Sequence, residues 1–221
     1  MKKKVAILVF PGTNCEQDLK SVLERSFNFE VELLWHNESF FDKYDFYFLP
    51  GGFSYGDYLR SGALAAKSVS LKSLVQVANN NKPILGICNG FQILTECGLL
   101  PGALIKNKTL KHIAKWVKLE TSKELDLPSE MFMPVSHSDG NYTCNEETLN
   151  QLQNQDQVIL RYQEDINGSI DKIAGIKTIN NKIFGLMPHP ERAINPQYDY
   201  AHSNKAYGFE FLKKVFEVAK L

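Results

Sequence analysis

The chain has 221 residues, enough for one domain, residues 1–221, with a full hydrophobic core. Its 25 Lys and Arg balance 25 Asp and Glu, and no run approaches the roughly 18 apolar residues of a membrane span, so the composition points away from nucleic acid and from membranes. The four cysteines (Cys15, Cys88, Cys97, Cys144) show neither CxxC nor Cys/His zinc spacing, so free thiols, a cytoplasmic location and no bound metal are expected.

Residues 5–10, all apolar, read as a buried first strand. They run into Pro11-Gly12 rather than a small-residue cleavage site, which argues against a signal peptide. The apolar spacing of Leu19, Val22 and Leu23 predicts a helix over 14–26. Strands follow at 31–35 and 46–49, then a polar glycine-rich loop over 50–58. Residues 71–78 read as helix and 84–87 as the next strand. Apolar strands alternating with helices imply a mostly parallel central sheet flanked by helices, an α/β fold whose site lies beyond the carboxyl ends of its strands. Gly51-Gly52 and Cys88 both fall at such ends. The second half changes character: strands at 116–119, 131–135, 158–162, 172–177 and 183–187 have few helices between them, which predicts an antiparallel extension. Residues 205–221 read as a closing amphipathic helix.

The chemistry concentrates in Gly86-Ile87-Cys88-Asn89-Gly90-Phe91-Gln92 and His189-Pro190-Glu191. A cysteine flanked by glycines, just after an apolar strand, has the layout of a nucleophile on a strained strand-to-helix turn. A free thiol of pKa ~8.5 carries little thiolate at neutral pH. A helix starting at Asn89 and a histidine partner correct this. His189 supplies the base and Glu191 a carboxylate to orient it, and such a triad attacks carbonyls. The oxyanion needs fixed donors, for which the amides of Asn89 and Gly52 are the candidates. By itself a strand-end cysteine is a small buried hydrophobe, and that reading is kept for Cys15, Cys97 and Cys144. His36, His112 and His202 are read as surface or cap residues. The glycine loop lacks the GxGxxG and GK[ST] patterns of a phosphate cradle.

These segments carry a resemblance. Gly86-Ile87-Cys88-Asn89-Gly90-Phe91-Gln92, the Pro50-Gly51-Gly52 loop and Met187-Pro188-His189-Pro190-Glu191-Arg192-Ala193 resemble class I (triad) glutamine amidotransferases. The stretch from Gly51 to Arg60, together with Pro11-Gly12-Thr13-Asn14-Cys15, is similar to the glutaminase subunits of phosphoribosylformylglycinamidine synthases. The resemblance implies a flavodoxin-like fold with Cys88, His189 and Glu191 as nucleophile, base and orienter, and oxyanion amides from Gly52 and Asn89. It further implies glutamine contacts from Gly51, Gln92 and His137. The aromatics and charges of residues 54–60, on a loop beside the oxyanion glycines, separately predict that Tyr55 and Arg60 contact a partner. The resemblance also implies hydrolysis of L-glutamine, with ammonia passed to a synthetase subunit that uses ATP and Mg, and a small third subunit. No cofactor is implied for this chain. Ser138 and Asp139 stand where the family usually has Gly and Glu, and Ala66-Lys67 replaces an arginine and an aromatic. The competing readings are a cysteine peptidase or chaperone-like hydrolase on the same fold, acting alone, and a catalytically dead binding subunit. Gln92 and the His-Pro-Glu order speak against the first, the filled triad against the second.

Overall fold

A computed structural model describes residues 2–198 and 205–221, so His202 lies outside the described residues. The elements in chain order are β1 (Lys4–Val9), α1 (Glu16–Ser26), β2 (Glu30–Trp35), β3 (Phe46–Leu49), α2 (Val69–Asn79), β4 (Ile84–Ile87) and α3 (Asn89–Glu96). Then come β5 (Ala103–Ile105), β6 (Ile113–Thr121), β7 (Glu130–His137), β8 (Asn141–Thr143), α4 (Glu146–Asn154), β9 (Val158–Tyr162), β10 (Ile173–Lys177), β11 (Ile183–Leu186) and α5 (Tyr207–Val218). The main sheet has nine strands in the order β2-β1-β3-β4-β11-β10-β9-β6-β7, and β5 and β8 form a separate antiparallel pair.

The sheet divides by strand direction. β2, β1, β3, β4 and β11 are parallel neighbours. β3 and β4 are buried along their whole length because helices cover both faces. From β11 onward, β10, β9, β6 and β7 pair antiparallel. β7 alternates buried and half-buried residues, as a one-sided strand must. The expected antiparallel extension is present, with one correction. Residues 183–187 were grouped with it, yet β11 pairs parallel with β4, Gly185 opposite Gly86. Its sequence, all apolar apart from a glycine, suits either direction. Parallel pairing is what places His189, just past the end of β11, beside Cys88, just past the end of β4.

Two caps start helices as their sequences suggest: Ser68 Oγ accepts from Leu71 N at 3.2 Å, and Asn145 Oδ1 accepts from Thr148 N at 2.8 Å. α5 closes one face of the sheet by packing Phe216 against Phe27 and Phe46, with ring centroids 4.9 and 5.5 Å away. β7 is the far edge of the sheet, but Pro134 O accepts from His189 N at 2.9 Å. The antiparallel half therefore curls back over the carboxyl ends of the parallel strands. Register shifts between β9 and β10 help the bend.

Candidate active site

Cys88 occupies the turn between β4 and α3 with φ 51° and ψ −105°, a conformation that costs a β-carbon-bearing residue of order 1–3 kcal/mol. The flanking glycines let strand and helix close around it. A Cβ on Gly86 would lie 2.6 Å from the Gly90 carbonyl carbon, and one on Gly90 would lie 2.0 Å from Leu49 O. Neither glycine has a positive φ, so each is required for close approach rather than for backbone freedom. The strain is carried by the cysteine alone.

His189 and Glu191 stand at the 3-10 turn Pro190–Arg192 that follows β11. Glu191 Oε1 accepts from His189 Nδ1 at 2.6 Å, both side chains being fully buried. That bond fixes the tautomer and leaves Nε2 with no hydrogen-bond partner among the described residues, facing the side on which the thiol must approach. Burial by itself would lower the pKa of His189. The Glu191 charge outweighs it, helped by Cys88 and Cys15, and the imidazole is held well above its ordinary value. The Cys88 thiol points at Ser136 O, 3.6 Å away at the end of β7.

Cys88, His189, Gly52, Ser136, Asn14 and Cys15 line one cavity of about 60 Å³. At ~10–15 Å³ or more per water this holds only a few waters, far less than a glutamine. A larger hollow, about 640 Å³, lies among Thr121, Gln153 and Arg161 on the antiparallel side, away from these groups.

Of the oxyanion candidates, Gly52 lines the cavity and Asn89 follows Cys88 directly. Gly52 forms an antiparallel bridge with Thr13 at φ +149°, and a Cβ there would sit 2.8 Å from Thr13 Cα and Asn14 N. Asn89 opens α3, where a helix leaves amides without helical partners. Its side chain accepts from Ser54 N at 3.1 Å and donates to Gln92 Oε1 at 2.8 Å, tying the glycine loop to the helix. Gly51 abuts His189, since its Cβ would be 2.6 Å from Cε1.

The remaining expected residues are arranged as supports. Gln92 Nε2 donates to Asp139 O at 2.6 Å, bracing α3 against residues 138–140. Asn107 Oδ1 accepts from Gly140 N, so it is an acceptor for His137 Nδ1 as well, at 3.0 Å. Burial first, then His189 and His112, press the His137 pKa down to about 4 and keep it neutral. Tyr55 turns inward, its hydroxyl 2.7 Å from His36 Nδ1. Arg60 is clamped by Glu96 through two bonds of 2.6 and 2.7 Å. Tyr58, 74% exposed, and Leu59, 81% exposed, project furthest from this loop, and Arg60 stays solvent-exposed beside them. His112 is exposed, as expected of a surface residue, and reaches both Ser136 and Ser138 at 3.1 Å.

Cys15 departs from the structural reading. It lines the active cavity, and its Sγ, a His189 ring nitrogen and a Glu191 oxygen lie within 4.8 Å of one another. A metal fits poorly there. His189 Nδ1 and Glu191 Oε1 are engaged with each other, and Arg192 Nη2 puts a cation 3.2 Å from the sulfur. Sequence reasoning passed over Cys15, Arg192 and Ser136. For Cys15 a signal existed: it follows β1 at the same carboxyl edge as Gly51 and Cys88.

The chain matches, over residues 2–220, the family described as CobB/CobQ-like glutamine amidotransferase domain. It is 48% identical over 201 residues to the phosphoribosylformylglycinamidine synthase subunit PurQ of Leptospira interrogans, covering 87% of this chain and 92% of that one. It is 47% identical over 223 residues to PurQ of Zymomonas mobilis, covering 97% and 99%. The chain belongs to the PurQ family of glutamine amidotransferases. A solved structure of PurLQS from Thermotoga maritima superposes with a TM-score of 0.82 at 37% identity, covering 98% of this chain and 99% of that one. A second Thermotoga maritima glutamine amidotransferase, with a TM-score of 0.66 at 15% identity and full coverage of both chains, shares the fold.

Proposed function

We propose that the chain is the glutaminase subunit of a phosphoribosylformylglycinamidine synthase of purine biosynthesis. One observation carries the mechanism: a strained cysteine and a buried His–Glu pair open on the same cavity, with the free imidazole nitrogen unpartnered. The Cys88 proton passes to His189 Nε2, and the sulfur attacks the side-chain amide carbon of glutamine. The oxyanion is held by the amides of Gly52 and Asn89. His189 returns its proton to the nitrogen, the C–N bond breaks and ammonia leaves. Water, deprotonated by His189, then attacks the glutamyl thioester. The C–S bond breaks, glutamate departs and Cys88 is restored. Glu191 orients the imidazole and stabilises its charged form. Gly51, Gln92 and His137 shape the glutamine side of the site.

In this reading the ammonia goes to a synthetase subunit that consumes ATP with Mg and converts formylglycinamide ribonucleotide to its amidine. A small third subunit completes a cytoplasmic complex. The chain acts as one domain and needs no cofactor of its own. No helix among the described residues is long and apolar enough to cross a membrane. The loop over 51–60 supports a regulatory role for assembly. It bears Gly52 on its inner side and Tyr58 and Leu59 on its outer side, and the cavity beneath is too small for substrate. A docking partner that shifts this loop opens the site and sets the oxyanion amide together.

The test is glutamate release from glutamine by the chain alone and with the synthetase subunit. Slow hydrolysis that accelerates on assembly, and a glutamine-mimicking alkylator bound to Cys88 alone, are expected. Label on another cysteine, full activity in Cys88→Ala, or equal rates with and without the partner would overturn the corresponding part.

A further inference from the structure

We infer that Cys15, held by Arg192, is a positioning residue for His189, fixing the Nδ1–Cε1 edge of the imidazole beside its bond to Glu191. The inference rests on the proposed glutaminase reading. Glu191 grips His189 only at Nδ1. A single bond leaves the ring free to swing about it, and histidine χ2 is a broad torsion. A second constraint on the same edge comes from Cys15 and Gly51. A Cβ on Gly51 would meet His189 Cε1 at 2.6 Å and Cys15 Sγ at 3.1 Å, so ring edge and sulfur both border this glycine, and Sγ lies within 4.8 Å of a His189 ring nitrogen.

Cys15 is itself held from several sides. Its amide donates to Gly51 O at 3.2 Å, its thiol donates to Asn14 Oδ1 at 3.2 Å, and Arg192 Nη2 donates to its sulfur at 3.2 Å. Arg192 is anchored in turn by Asp18 at 3.3 Å and by its own amide, which donates to His189 O at 3.2 Å. The same arginine thus grips the backbone of His189 and the sulfur beside its ring. A small aliphatic group would fill the space, but it would offer no acceptor to Arg192 and no polarisable electron-rich atom to the ring. Sulfur does both, and an electron-rich atom beside an imidazole edge stabilises the imidazolium that forms when Cys88 gives up its proton.

The groups facing His189 are Glu191 and Arg192 from its own turn, Cys88 from the end of β4, Cys15 from the start of α1 and His137 from β7. Cys15 is among those that favour its charged form. Removing the sulfur therefore moves the deprotonation of His189 to lower pH.

The experiment compares full-length wild type, Cys15→Ala, Cys15→Ser and Arg192→Met in glutamine hydrolysis across pH. Cys15→Ala is expected to lower kcat on the order of 10- to 100-fold, the cost of a slightly misplaced catalytic group, with glutamine KM within about twofold. The alkaline limb of kcat/KM moves to lower pH. Cys15→Ser, which still accepts from Arg192, recovers most of the rate, and Arg192→Met, which frees the sulfur, reproduces the loss of kcat. An unchanged kcat in Cys15→Ala, a lower kcat with an unmoved pH profile, or a change in KM alone overturns the inference. Titration of the His189 ring nitrogens by ¹⁵N NMR in wild type and Cys15→Ala reads the same effect without turnover. If wild type hydrolyses no glutamine, the functional reading fails, and identical titrations in the two proteins defeat the inference separately.

Discussion

The turn that carries Cys88 and the loop that carries Gly52 meet at one cavity, yet they are built on opposite principles. The turn is locked. Gly86 and Gly90 let β4, α3 and the end of β3 touch backbone to backbone, leaving no space for even a methyl group. The loop is pinned by the Thr13–Gly52 bridge and by bonds at Ser54, Tyr55 and Arg60, but its backbone is strained. Tyr55, Asp57 and Leu59 all have positive φ, at 54°, 54° and 71°, each costing of order 1–3 kcal/mol. Its outer residues are exposed. A nucleophile must not move, whereas an oxyanion donor that responds to a partner must. The rigid half holds the sulfur and the strained half is left adjustable.

This contrast is broken most severely at the turn. Gly90→Ala pushes a methyl to 2.0 Å from Leu49 O. Neither backbone can yield, so the substitution is expected to cost about 3 kcal/mol or more, read as a lower urea midpoint or loss of soluble protein. Gly86→Ala drives a methyl to 2.6 Å from the Gly90 carbonyl and tests the other side of the same turn. A midpoint within error of wild type in both would show the turn to be as pliable as the loop.

Gly52→Ala tests the other side. The added Cβ forces either φ or the Thr13 bridge to change. Losing one oxyanion donor lowers kcat by about 10²–10³-fold. The stability loss should be smaller than that of Gly90→Ala, because the loop has somewhere to go. Equal losses of stability would erase the distinction.

The two buried histidines divide in the same way and give opposite pH dependences. His189, held by Glu191, has a raised pKa. It adds stability that is complete below about pH 6.5 and is lost as pH rises through its folded value. His137 has a pKa lowered to about 4, chiefly by burial. The unfolded chain takes up a proton near pH 6.5 and the folded chain only near 4, so stability falls as pH drops through this window, by roughly 3 kcal/mol at most. His137→Asn should flatten the acid limb of a stability–pH curve measured by urea unfolding. An acid limb as steep as wild type would assign the loss to other groups.

The smallest effect on the fold belongs to the outer loop. Tyr58→Ser and Leu59→Ser remove exposed side chains and should change stability by no more than about 0.5 kcal/mol. They should nonetheless weaken stimulation of glutaminase by the synthetase subunit. Unaltered stimulation would place the docking surface elsewhere.

Much of this was legible in the chain. The strands over 46–49, 84–87 and 158–162 appear at the same residues in the structure, because buried apolar runs bounded by turn residues leave few alternatives. Short or polar elements were not legible. β5 and β8, three residues each, and α4, rich in Glu, Asn and Gln, carry too little apolar pattern to announce themselves. Tyr55 and Arg60 were expected to face a partner because they lie on an exposed loop. That His36 and Glu96 engage them could not be read from spacing, since these partners are 19 and 36 residues away.

The sequence by itself determined what is local. The glycine flanks of Cys88 mark the elbow, and the two-residue spacing of His189 and Glu191 makes their pairing a matter of one tight turn. What is non-local was decided only by tertiary structure. Parallel pairing of β11 with β4 brings His189 to Cys88, and the curl of the antiparallel half carries Pro134 and Ser136 onto the site. Cys15 reaches the same imidazole because β1 and β3 end together, with Cys15 N bonded to Gly51 O. The physical reason is that strand register is set by packing and hydrogen bonding between distant segments. An apolar strand of four residues is compatible with several neighbours until the whole core selects one.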